Sequence, residues 1–141
     1  MSKSKLILLV DDDLDDRNFF MDAVEAIGGS HRCIISDDGE KALRLLTKPF
    51  ALIPDYIFLD LNMPRMNRKQ FLKKIKSIEI LQSIPVIIYS TTRQPEDVEE
   101  TQRLGAVYFL TKPQTFDEIS EAVFFVLNEK WTELIDSEKH V

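Results

Sequence analysis

Four apolar runs in this chain each lead into a side chain that can handle a metal ion or a phosphate. Leu6-Ile7-Leu8-Leu9-Val10 runs into Asp11-Asp12, Tyr56-Ile57-Phe58-Leu59 into Asp60, and Val86-Ile87-Ile88-Tyr89 into Ser90. Val107-Tyr108-Phe109-Leu110 is followed closely by Lys112. If the first and third runs lie side by side, three carboxylates meet at one rim. Carboxylates that close repel one another and destabilise the metal-free fold. A hard divalent cation relieves this, and Mg2+ suits a site with a few carboxylates and room for water and phosphoryl oxygen. Lys112 adds a fixed positive charge and Ser90 a hydroxyl donor. Phosphoryl transfer needs these parts: an in-line nucleophile, charge neutralisation and positioning donors.

Taken singly, each residue has a plainer reading. An aspartate after a strand is usually a turn or helix-cap residue, and Asp13 is assigned to capping. Asp15, Asp16, Asp37 and Asp38 read as solvated loop or helix-start acids. A lone serine is an ordinary turn hydroxyl, and a lone lysine a solvated charge. Their recurrence at successive strand ends is what favours the chemistry.

Elements of two periods must position these residues. The short continuous apolar runs are the mark of strands buried on both faces, and Cys33-Ile34-Ile35 reads as another. Between them, Phe20, Ala23, Val24 and Ile27 recur at helical spacing until Gly28-Gly29 stops the helix. Ala42, Leu43 and Leu46 form a second helical face ending near Pro49, and Phe71, Leu72, Ile75 and Ile78 a third. Pro95 can open the fourth helix, where its missing N–H costs nothing. Phe116, Ile119, Val123 and Val126 or Leu127 predict one face of the last. Five β–α pairs require right-handed crossovers and a parallel sheet covered on both sides, a doubly wound α/β domain. Its ligands are expected beyond the carboxyl ends of the strands.

The 141 residues make one domain, with a core over about 5–128. The net charge of −6 and the lack of a Lys/Arg cluster argue against binding nucleic acid or an anionic membrane. Cys33, the sole cysteine, fits a reducing compartment and reads as a small buried hydrophobe. The amino-terminal apolar run is too short for a signal peptide, and no run approaches membrane-spanning length. A cytoplasmic location is expected.

Val10-Asp11-Asp12, Leu59-Asp60-Leu61-Asn62-Met63-Pro64, Ser90-Thr91 and Lys112-Pro113 together resemble the receiver domains of two-component response regulators. The resemblance spans about residues 5–128. It implies a CheY-like, flavodoxin-like sheet of order 2-1-3-4-5, with Asp60 as phosphoacceptor. Asp11, Asp12 and Asp60 would hold Mg2+ with help from the Asn62 backbone carbonyl. Ser90 would hydrogen-bond the phosphoryl group, and Lys112 would pair first with Asp60 and then with the phosphate. The Lys112-Pro113 peptide would be cis. Ser90 and Phe109 would form the switch, and Thr92 would tune the lifetime of the phosphate. The phosphate would come from a sensor histidine kinase or phosphotransfer protein. The resemblance extends to free-standing receivers that partner phytochrome kinases and pair through their fourth and fifth helices.

Three features depart from the family pattern. Asn67-Arg68 stands where Asp-Gly is common, so the loop after Asp60 lacks its most permissive residue. Phe109 replaces a common tyrosine and has no hydroxyl, while Tyr108 by alternation faces the other way. The last helix is expected to extend over about 129–137, with Phe124, Phe125, Trp131, Leu134 and Ile135 adding apolar surface for a partner or second copy. Glu96, Asp97, Glu99 and Glu100 would make the fourth helix acidic. No output module is expected after residue 137. A phosphatase of the haloacid-dehalogenase type also uses a strand-end aspartate, but here Asn62 stands where its general acid would be. A receiver that binds partners without phosphorylation is the third reading.

Overall fold

The computed structural model describes residues 4–61 and 67–131. Five strands alternate with five helices: β1 Leu6–Val10, α1 Leu14–Ala26, β2 Arg32–Ser36, α2 Gly39–Thr47, β3 Tyr56–Leu59, α3 Arg68–Ser77, β4 Val86–Ser90, α4 Pro95–Arg103, β5 Tyr108–Thr111 and α5 Phe116–Leu127. All strand pairs are parallel, and the order is β2-β1-β3-β4-β5. β1 and β3 are therefore neighbours, with Val10 opposite Leu59. That register brings the residues following each strand, Asp11 and Asp60, to the same rim.

Strand alternation divides the core into two layers. Leu8, Val10, Ile57, Leu59, Val86 and Ile88 face one side and pack with residues of α2 and α3. Ile7, Leu9, Tyr56, Phe58, Ile87 and Tyr89 face the other and meet α1 and α5. Within the second layer Phe20, Phe58 and Tyr89 meet edge to face, with centroids 4.8, 5.6 and 6.2 Å apart. Each such contact adds about 1 kcal/mol beyond area burial. This cluster stiffens the strands at the point where they deliver Asp60 and Ser90.

The helices start as their sequences dictate. Asp13 caps α1 by accepting from the Asp16 N–H, Asp38 caps α2, and Pro95 opens α4. Gly28, at φ +75°, supplies the left-handed turn that follows α1. Asn67 and Gln70 form a reciprocal capping box at the start of α3. α4 is the most lightly anchored helix, with Thr101 as its sole buried residue.

Three expectations are corrected. α5 ends at Leu127 instead of running on toward residue 136. There the Asn128 amide closes the last turn onto the Phe125 and Val126 carbonyls, and the Trp131 indole N–H donates to the Val126 carbonyl at 2.8 Å. Trp131 is buried and packs against Tyr108 and Phe125 of its own domain; Leu134 and Ile135 lie outside the described residues. Phe116, the first residue of α5, is 42% exposed, and the buried face starts one turn later at Ile119. Among the described residues no peptide bond is cis, so Lys112-Pro113 is trans. Trans is the lower-energy form, and from it Lys112 already reaches the carboxylates.

Candidate functional site

Four strand ends deliver the site. The Asp11 N–H donates to the Ser36 carbonyl at 3.0 Å, and the Asp60 N–H to the Val10 carbonyl at 2.9 Å. Both backbones are thus fixed by continuation of the sheet ladder. Asp11 and Asp60 are buried, and Asp12 is exposed. One carboxylate oxygen from each of Asp11, Asp12 and Asp60 falls within a cluster no wider than 4.8 Å. An all-oxygen, anionic, partly open cluster fits a hard divalent cation. Mg2+ bound there would supply positive charge against carboxylate and phosphoryl oxygens. Asn62 lies outside the described residues.

Lys112 answers this negative charge from the position just after β5. Its Nζ donates to Asp11 Oδ2 at 2.8 Å and Asp16 Oδ2 at 2.7 Å, and lies 3.6 Å from Asp60 Oδ2. The expected first partner, Asp60, is therefore the most distant of the three. Asp11 and Asp16 lie within hydrogen-bonding distance and accept the ammonium's hydrogen bonds. The side chain is only 8% exposed. Burial alone would lower its pKa, but the hydrogen bonds to Asp11 and Asp16 and the charge on Asp60 outweigh it, so the pKa is raised. The ammonium also sits 5.3 Å from the centroid of the Tyr89 ring. Burial pushes the Tyr89 phenol up to about 12.

Ser90 is buried, and its Oγ accepts from the Thr92 N–H at 3.2 Å. Its carbonyl accepts from the Lys112 N–H at 2.6 Å, joining the ends of β4 and β5. Phe109 points inward, 7% exposed, beneath Arg93. The Arg93 guanidinium lies 5.2 Å from the Phe109 ring centroid and donates to the Phe109 carbonyl at 3.0 Å. Thr92 is exposed.

Two functional neighbours escaped the sequence reading. Asp16, read there as solvated, is a direct partner of Lys112. Its position in the first turn of a helix that follows the acidic pair was the available signal. Arg68 opens α3 and spans to α4, with Nη2 2.7 Å from Asp97 Oδ1 and Nε 3.1 Å from Glu100 Oε1. The long arginine at the position where glycine is common thus ties the segment after Asp60 to α4, and half of the expected acidic face of α4 is engaged.

The sequence pattern of the response regulator receiver domain matches residues 7–124. The chain belongs to that family and is a phosphoacceptor of the two-component type. It is 29% identical over 123 residues to the response regulator Rcp1 of Synechocystis sp., covering 84% of each protein. The crystal structure of the Mn(2+)-bound form of Rcp1 superposes with a TM-score of 0.80, at 28% identity, over 89% of this chain and 96% of that one. The phosphorylated cyanobacterial phytochrome response regulator RcpA superposes with a TM-score of 0.79, also at 28% identity, over 87% and 91%. No described helix is long and apolar enough to cross a membrane.

Proposed function

We propose that Asp60 is the phosphoacceptor, that Asp11, Asp12 and Asp60 hold Mg2+ with the Asn62 carbonyl, and that Lys112 and Ser90 position the phosphoryl group. The supporting observation is that Asp60 shares one rim with two further aspartates and a buried ammonium. An Asp60 carboxylate oxygen attacks the phosphorus of a phosphohistidine. The P–O bond forms as the P–N bond breaks, and the leaving imidazole takes a proton. Lys112 offsets charge on the phosphoryl oxygens, and the Ser90 hydroxyl donates to one of them. Water later attacks phosphorus and regenerates the carboxylate, so the protein processes its own phosphate and turns over no separate substrate.

The response surface in this reading is α4–β5–α5. α4 is lightly anchored, and elements that move are drawn from the least stable parts of a fold. Ser90 moving toward a phosphoryl oxygen would leave space for Phe109, shifting a two-state equilibrium at α4. Exposed Phe124 and Phe125 on α5 suit a second copy of the chain. The donor is a sensor histidine kinase, of phytochrome type by similarity to RcpA, or a phosphotransfer protein, and the location is the cytoplasm. Incubation with acetyl phosphate and Mg2+, followed by intact-mass measurement, tests the assignment. The wild type gains one phosphoryl group and Asp60→Ala gains none; undiminished labelling of Asp60→Ala would refute it.

A further inference from the structure

Among the described residues β2 is an edge strand, with β1 on one side and no strand on the other. In a parallel ladder the N–H and C=O of one residue point the same way, and those of the next residue point oppositely. The Arg32 N–H donates to the Lys5 carbonyl and the Ser36 carbonyl accepts from the Asp11 N–H, so Arg32, Ile34 and Ser36 face β1. The N–H and C=O groups of Cys33 and Ile35 therefore face the open edge. Cys33, Ile34 and Ile35 are each partly exposed, whereas every residue of β3 and β4 is buried.

Two hollows adjoin this edge. One, of about 790 Å³, lies between α1 and α2 at the carboxyl end of β2, and Ile35 lines it. The other, of about 480 Å³, lies toward the amino end against Cys33. Met21 borders both hollows, which together flank the strand. Met21, Ile35 and Leu45 give the larger hollow apolar surface, and Arg17, Lys41, Arg44 and Lys48 give it four cations against one carboxylate, Asp37. This is a local reversal of sign in a chain whose net charge is −6.

We infer that the β2 edge docks an extended acidic segment of a partner protein, which adds as a sixth strand against Cys33 and Ile35 and places its carboxylates among Arg17, Lys41, Arg44 and Lys48. The open donors and acceptors supply main-chain pairing, and the two hollows receive alternate side chains. The charge excess selects acidic over basic segments. The surface lies apart from α4 and α5, so a segment can dock there without occupying the proposed response face.

The test uses the full chain, isotopically labelled, and capped six-residue peptides alternating Glu with Val or Lys with Val. The glutamate peptide is expected to bind, to slow amide exchange at Cys33 and Ile35, and to bind about tenfold more weakly to a K41E/R44E double variant. Both substituted residues are exposed, and retained labelling by acetyl phosphate confirms that the variant is folded. A glutamate peptide N-methylated at its pairing amides keeps its charge but cannot donate to the edge, and should bind at least about tenfold more weakly. Equal binding of the N-methylated peptide, equal binding of the lysine peptide, or no protection at Cys33 and Ile35 at about 1 mM glutamate peptide would each overturn the inference.

Discussion

Lys112 and Arg68 each hydrogen-bond two carboxylates, and they do so in opposite surroundings. Lys112 bridges Asp11 and Asp16 with its side chain 8% exposed, directly above an aromatic ring. Arg68 bridges Asp97 and Glu100 with its side chain 29% exposed, on the outer surface between α3 and α4. The distances are nearly the same. What differs is the solvent, and it decides what each bridge can do. A buried charge left without its partner is costly, whereas a half-exposed ion pair is screened by water and salt and contributes about 0–1 kcal/mol. In the proposed reading the buried bridge organises the chemistry, and the exposed one can break at small cost, as a contact on the proposed response surface must.

The sharpest way to break the comparison is to remove each cation. Lys112→Ala is expected to slow labelling by acetyl phosphate about a hundredfold and, in metal-free buffer, to cost about 3 kcal/mol by urea denaturation. Saturating Mg2+ should stabilise this variant more than the wild type, because the cation relieves carboxylates that Lys112 no longer serves. Equal metal stabilisation of the two proteins would show that the ammonium and the ion answer different charges. Asp16→Asn comes next. It should cost about 1 kcal/mol, since one charge-assisted hydrogen bond to a partly exposed partner is lost while Asp11 still holds the ammonium. Arg68→Ala should cost about 0.5 kcal/mol at low salt and nothing measurable at about 1 M NaCl. A loss from Arg68→Ala that salt leaves unchanged would place the two bridges in one class.

Alkaline titration sharpens the same contrast. The Lys112 pKa is raised on folding, so its charge stabilises the fold fully below its ordinary value of 10.5 and that stability is lost as pH climbs through the higher folded value. The Lys112→Ala variant should accordingly lack this part of the alkaline loss in stability. A separate, kinetic effect is expected at Cys33, whose thiol burial pushes up to about 11. At pH 8 its thiolate fraction falls about a hundredfold below that of an ordinary thiol, and the greater nucleophilicity of a more basic thiolate recovers about tenfold. Alkylation should therefore run about tenfold slower than in the urea-unfolded chain.

The acidic pair, Asp60, Ser90 and Lys112 could be placed at strand ends from local pattern because each follows an uninterrupted apolar run of strand length. Helix starts at Asp13 and Pro95 were equally readable, since capping depends on near neighbours. The fate of Asp16 was not. It and Lys112 are 96 residues apart, and only the reach of the Lys112 side chain across the strand ends to the first turn of α1 makes them partners. Arg68 looked like a disturbance of its loop because its two acceptors lie 29 and 32 residues further on. Trp131 looked like spare surface because the aromatic pocket that buries it is assembled from β5 and α5.

The order of polar and apolar residues alone thus determined five strands, five helices and the rim where acids, a hydroxyl and an amine would gather. That much is local, since periodicity and capping act over a few residues. The tertiary structure decided which carboxylates the lysine holds, where α5 stops, and which strand edge stays open. Those outcomes turn on distances of a few ångströms between side chains far apart in the chain, and on whether water reaches them.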